Sequence, residues 1–275
     1  MHIRLGISSC PNDTFMFEAI INSRIDLGKF NIELFMADID TLNQTAHEDK
    51  LDVVKISFNA FADLTDKFQL LRSGAAIGFK NGPLIVSKRK IYPEELPMMD
   101  VAIPGKKTTA NLLLSELFPA VKRKKVYLFS DIENAILNDE VDAGVLIHET
   151  RFSYQNRGLQ LIVDLGQLWE QKKQLPLPLG GIVIRRNFDD ATKKQFQWLL
   201  AQSVVYAMNN PELAHQYVKQ HAQDLSDEVI QQHIALYVNK FSTWIPKLGE
   251  EAIRELLRIA TKSNHGSIVE PIFVS

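Results

Sequence analysis

The stretch Leu175-Pro176-Leu177-Pro178-Leu179-Gly180-Gly181-Ile182-Val183-Ile184-Arg185 decides how the chain is organised. Its prolines fix φ and cannot join the middle of a ladder, so it begins as a rigid extended segment. A surface loop is the plain alternative. Beyond the glycines, Ile182-Val183-Ile184 is an apolar run that predicts a buried strand. A second proline-containing extended segment, Gly82–Lys88, lies upstream. Each falls between blocks in which short apolar runs alternate with amphipathic stretches, the mark of an α/β protein. No low-complexity linker is present. The economical reading is two domains joined by two crossover strands, with residues 1–88 and 180–275 as a discontinuous first lobe and 89–179 as the second.

The 275 residues suit two domains, since a domain takes roughly 150. The chain is 45% hydrophobic and 23% charged, a soluble globular mix. Lys plus Arg number 31 against 33 Asp plus Glu, for a formal charge of −2. That balance argues against a strongly basic nucleic-acid binder and an acidic disordered chain. The single cysteine, Cys10, excludes an internal disulfide framework and multi-cysteine zinc sites. HExxH is absent, and His148-Glu149 has no second histidine four residues on, so no metal is expected. A basic segment followed by an apolar secretory stretch is not seen, nor any run approaching the roughly 18 apolar residues of a membrane span. The expectation is a cytoplasmic protein with neither membrane nor nucleic-acid partners.

Predicted strands are Ile3–Ile7, Ile32–Met36, Val53–Ser57, Leu84–Ser87, Asp100–Ile103, Lys125–Leu128, Ala143–Ile147, Leu161–Asp164 and Gly181–Arg185. Predicted helices are Thr14–Ile21, Ile39–Glu48, Asn59–Leu64, Thr108–Leu117 and Ile132–Asn138, then Asp190–Met208, Pro211–Gln220, Asp227–Val238 and Gly249–Thr261. Asp190 is the expected cap of its helix, and Pro211 sits where a first helical turn tolerates proline. A weak internal repeat runs helix, acidic turn, Asp, apolar strand, polar residue. It appears once ending at Ser57 and again ending at His148.

Ligands of open α/β sheets bind beyond the carboxyl ends of the strands. Four polar segments qualify: Ser8–Thr14, Ser57-Phe58-Asn59, Pro104–Ala110 and His148–Arg151. Two belong to each lobe, and they would face each other across a cleft. Thr108 and Thr109 can cap the helix near Asn111 and help hold a carboxylate or carbonyl; plain capping explains them equally. The spacing is not that of a phosphate loop. Ser57 can cap the helix that follows it and also donate to a ligand, and Lys55, alternating with buried positions, reads as an ordinary outward-facing residue. His148 emerges from an apolar strand and has the chemistry of a general base, with a structural role as the alternative. Cys10 reads more simply as a small packed residue than as a nucleophile. Asn12, Asp13 and Thr14 form a helix-start cluster, and Phe15, Met16 and Phe17 read as core.

The string Gly6-Ile7-Ser8-Ser9-Cys10-Pro11-Asn12-Asp13-Thr14-Phe15-Met16-Phe17 resembles the N-terminal signature of the 1,4-dihydroxy-6-naphthoate synthases of the futalosine route to menaquinone. The likeness continues at Lys55-Ile56-Ser57, Pro104–Ala110, Gly144–Glu149 and Leu175–Gly181. It implies the type II periplasmic-binding-protein fold, two βα lobes with a cleft and two crossover strands. It also implies a carbon–carbon lyase acting on cyclic dehypoxanthinylfutalosine, a small anionic aromatic substrate, without a cofactor. The family's catalytic histidine falls on His148. Its substrate-binding segments fall on Lys55, Ile56 and Ser57 and on Thr109 and Ala110, with Thr108 adjoining; Asn12, Asp13 and Thr14 join the candidate set through the N-terminal string. A homodimer is compatible with this reading. The rival readings are the chorismate dehydratase of the same pathway, a cytoplasmic small-molecule-binding protein and an exported receptor, the last disfavoured by the missing leader pattern.

Overall fold

The structure, a computed structural model, describes residues 1–264 and 266–275. The chain divides into two compact units, Met1–Gly78 with Pro178–Ser275, and Phe79–Leu177. The first holds strands β1 (His2–Ile7), β2 (Asn31–Met36), β3 (Val53–Ser57), β4 (Phe68–Leu70) and β5 (Ala76–Gly78). The second holds β6 (Leu84–Ser87), β7 (Val101–Ile103), β8 (Lys124–Val126), β9 (Ala143–Leu146) and β10 (Gln160–Asp164). A nine-residue return strand, β11 (Leu177–Arg185), belongs to the first sheet.

The first sheet runs β2-β1-β3-β11-β4, with β5 also paired to β11. Strands β1, β2 and β3 are parallel, whereas β11 is antiparallel to both β3 and β4. The register places Gly180 against Ser57, Gly181 against Ile56 and Ile182 against Lys55. This ladder begins beyond Pro178, so the proline that opens the strand costs it no bond to β3. The second sheet runs β10-β6-β9-β7-β8. Here β8, β7 and β9 are parallel and β6 is antiparallel to β9. The sequence reading put Leu84–Ser87 in the first lobe. It pairs instead with β9 and β10 of the second sheet, because both of its neighbours lie in residues 79–177.

The repeat suspected in the sequence is a shared topology. The order β2-β1-β3-β11 corresponds to β8-β7-β9-β6, with the antiparallel strand beside the third parallel one each time. Both helix-to-strand turns contain an aspartate at positive φ, Asp49 (59°) and Asp139 (60°). A carboxylate just before each following strand then accepts a backbone N–H from the neighbouring strand's start. Asp52 takes Arg4 N at 2.9 Å, and Asp142 takes Asp100 N at 2.8 Å.

Parallel strands covered on both faces read as continuous apolar runs. Accordingly Ile3, Leu5, Ile7, Val53, Ile182 and Ile184 are fully buried in the first unit's core. Helix Pro11–Ile21 is buried from Pro11 to Ile20, with Phe15, Met16 and Phe17 in the core as expected. The C-terminal helices are Asp190–Asn209, Pro211–His221, Asp227–Tyr237, Lys240–Thr243 and Lys247–Asn264. The cap of the first is Asp189, which accepts from Thr192 N at 2.8 Å; Asp190 is already helical and pairs with Lys193. The elements that were not predicted include two strands of the first unit and a helix of the second. Strands β4 and β5 are three residues each, too short to show a period. Helix Leu165–Lys173 is capped by Asp164, which accepts from Gln167 N at 3.0 Å.

In the second unit the backbones of Gly82 and Gly166 cross without side chains between them. A Cβ on Gly82 would lie 2.2 Å from Gly166 Cα and 2.4 Å from its nitrogen. Because backbone rather than a flexible side chain blocks the space, Gly82→Ala should destabilise the second unit by about 1–3 kcal/mol or more. Urea unfolding checks this, and an unchanged midpoint would contradict the close approach.

Candidate functional site

In the first unit the candidate residues are organised by a buried lysine. Strand β3 is buried at every position, Lys55 included at 6% exposure. A charge in such a place needs a partner. Asp13 provides one: its Oδ1 lies 2.7 Å from Lys55 Nζ, and Asp13 is itself 1% exposed. The carboxylate is held from two further sides. Asn12 Nδ2 donates to Oδ1 at 2.7 Å, and Ser8 Oγ donates to Oδ2 at 2.7 Å. The geometry follows from local sequence. Cys10 is the extended cap residue, Pro11 occupies the first helical turn, and Asn12 and Asp13 fall in that turn, where the helix dipole favours an anion. Cys10 is buried, in keeping with the simpler reading of it.

Thr14 turns its hydroxyl back to Cys10 O at 3.0 Å and is fully buried, and the Ile56 side chain is also fully buried. Ser57 does not cap the following helix through its side chain. Its Oγ instead accepts from Asn43 Nδ2 at 3.1 Å, while its backbone N–H donates to Asn43 Oδ1 at 2.9 Å. The backbone at Gly180 closes over this strand: a Cβ there would sit 2.6 Å from Ile56 O and 3.5 Å from Lys55 Cε. The second glycine-bearing crossover therefore runs directly beside the lysine, as its lack of side chains allows.

In the second unit Thr108 is the extended cap of helix Thr109–Leu117. Its Oγ1 donates to Gly105 O at 2.8 Å and accepts from Asn111 N at 3.2 Å. Thr108, Thr109 and Ala110 are all buried at this helix N-terminus. Strand β9 ends at Leu146, and His148 lies two residues beyond it at φ 58°. Left-handed backbone is uncommon for a non-glycine residue and costs of order 1 kcal/mol or more. The ring of Phe129 meets His148 edge-on, centroids 5.0 Å apart and planes at 66°. Thr150 Oγ1 donates to Ile147 O at 2.7 Å and closes the turn that carries the histidine.

Burial pushes the Glu149 carboxyl above its ordinary pKa; a backbone hydrogen bond opposes this, and the charge of Glu133 adds to it. Glu133 is buried and receives Arg157 Nη1 on Oε2 at 3.1 Å. Sequence reasoning missed Asn43, Phe129, Glu133 and His233. Asn43 and His233 left a signal: each stands in an apolar helical stripe, Ile39-Leu42-Asn43-Ala46 and Ile230-His233-Tyr237. A polar residue on the buried face of a helix marks a buried partner. Phe129 left none, because its contact depends on the turn beyond β9. Among the described residues there is no cluster of three or more His, Cys, Asp or Glu placed to hold a metal, and no helix long and apolar enough to cross a membrane.

A family model described as menaquinone biosynthesis matches residues 3–262. A Thermus thermophilus protein named 1,4-dihydroxy-6-naphtoate synthase is 41% identical over 254 residues, 92% of each chain. A Streptomyces coelicolor protein of the same name is 37% identical over 260 residues, 93% of this chain and 91% of that one. Among solved structures, an Archaeoglobus fulgidus protein superposes with a TM-score of 0.90 at 33% identity, over 96% of this chain and 98% of the other. The alkanesulfonate-binding protein SsuA of Xanthomonas axonopodis superposes at 0.68 with 12% identity, over 86% and 84% of the two chains, which is a likeness of fold alone. The fold is thus the α/β fold of the periplasmic binding proteins.

The raised Glu149 sets a pH dependence. Its folded form holds the proton more tightly than the unfolded chain, so the stabilisation is present below about pH 4 and is lost as pH rises through the folded value. Melting curves of the wild type and Glu149→Gln from pH 4 to pH 8 should show the wild type losing stability relative to the variant as pH rises. Parallel curves would remove the effect.

Proposed function

Since the chain belongs to the menaquinone-biosynthesis family, we propose that it is a lyase converting cyclic dehypoxanthinylfutalosine to 1,4-dihydroxy-6-naphthoate, with His148 as general base. The observation that carries this reading is the placement of His148. It stands beyond the carboxyl end of a buried parallel strand, where α/β folds bind ligands, and in a left-handed conformation that a merely space-filling residue does not require. Phe129 limits the freedom of its ring.

The substrate's aryl carboxylate fits the helix N-terminus at Thr108, Thr109 and Ala110, which favours negative charge without a full countercharge. Lys55 suits a different task. Paired with Asp13 it forms a unit of no net charge, and its ammonium has three donors, of which Asp13 takes one. It therefore offers hydrogen bonds to neutral oxygens of the substrate, with Ser57 beside it on the same strand. His148 removes a proton, the ring opens, the sugar-derived fragment leaves, and aromatisation of the naphthoate drives the reaction forward.

His148→Asn is the sharp test, because asparagine tolerates left-handed backbone and leaves the turn unstrained. Turnover of the cyclic substrate should fall by about a hundredfold or more while product binding stays near normal. Turnover within a few-fold of wild type would remove His148 as the base. Thr109→Val should act on binding instead, raising KM about tenfold with little change in kcat. An unchanged KM would argue against a carboxylate at that helix.

A further inference from the structure

We propose that His233 is a positioning residue for Lys55, acting through Asn12 and Asp13. This rests on the reading of Lys55 as a substrate-binding group. His233 is on helix Asp227–Tyr237, far along the chain from the other candidates, and is fully buried. Its Nε2 lies 2.9 Å from Asn12 Oδ1. Asn12 Nδ2 lies 2.7 Å from Asp13 Oδ1, and the same oxygen lies 2.7 Å from Lys55 Nζ. All four residues are at most 6% exposed, so the contacts are shielded from water.

The chemistry of the groups fixes the direction of every bond. Lys55 only donates, and ionised Asp13 only accepts. Asn12 must therefore turn its NH₂ toward Asp13, which leaves its carbonyl oxygen toward His233. That oxygen only accepts, so the proton between the two sits on His233 Nε2. Without that donor, the Asn12 carbonyl is left buried without its partner, a costly state that the amide relieves by rotating. A rotated amide would face its oxygen to the carboxylate and break the hold on Asp13. Lys55 would then keep its ion partner but lose the fixed position of that partner. The tilted ring of Tyr237, 4.6 Å from the imidazole, holds His233 in place from its own helix.

The chain of bonds predicts which replacements work. Glutamine can place an N–H near the position of Nε2 and should serve; leucine fills the volume but cannot donate. Two measurements are made on wild type, His233→Gln and His233→Leu. The first is the ¹⁵Nζ resonance of Lys55 without substrate, assigned by its loss in Lys55→Arg. The second is the kinetics with cyclic dehypoxanthinylfutalosine. His233→Leu should shift the lysine resonance and raise KM about tenfold with kcat within about twofold, and His233→Gln should restore both. The double variant Asn12→Ala, His233→Leu should be no worse than the worse single one, because both cut the same chain. A folded His233→Leu with the wild-type resonance and KM overturns the proposal, as does a folded His233→Gln as impaired as the leucine variant. Should His233→Leu fail to fold, Asn12→Ala cuts the next link, and an unaltered resonance and KM there overturn it equally. If the resonances behave as described while wild type does not convert the substrate, the functional reading fails and the positioning role stands.

Discussion

The buried ammonium of Lys55 is the constraint around which the first unit is built. Strand β3 lies between β1 and β11 and is buried at every position, so a lysine in it is almost wholly withdrawn from water. Breaking a buried ion pair by removing one partner costs roughly 3–5 kcal/mol, so the position survives only with its partner in place. That partner, Asp13, comes from the loop and helix after β1, and its own support comes from Ser8 and from Asn12, which touches His233. Residues from the first and last parts of the chain are thus needed around one charge. This gives a physical reason for a unit assembled from both ends of the chain.

The second unit repeats the topology without the lysine. It has the same strand order, the same aspartate at positive φ before the third parallel strand, and the same carboxylate-to-backbone bond. At the end of that strand the first unit presents Ser57 and the second presents His148, two residues further on. A serine closes the strand in one unit, and a histidine follows it in the other.

Much of the fold was legible because buried strands read as short continuous apolar runs and amphipathic helices show their period. Strand β3 was read at its observed bounds, Val53–Ser57, and β6 at Leu84–Ser87. What could not be read depends on tertiary partners. Phe68–Leu70 and Ala76–Gly78 become strands only by pairing with β11, and Leu70 is also tied to the C-terminal tail by bonds to Ile272 and Val274. The site was legible in part. His148 stood out by type and place, whereas Asp13 read as part of a helix-start cluster, the alternation of β3 allowed Lys55 to point outward, and both became candidates only through the family resemblance. Only the cover supplied by β11, whose Gly180 lies against the lysine stem, decides for burial. His233 needed the distance to Asn12 before its role could be seen.

Whether this scaffold acts as an enzyme of the proposed kind is settled most directly by product identification. Purified protein is incubated separately with cyclic dehypoxanthinylfutalosine and with chorismate, and the products are analysed by mass spectrometry. The expected outcome is 1,4-dihydroxy-6-naphthoate from the first and no reaction with the second. Dehydration of chorismate with the cyclic substrate left intact would contradict it.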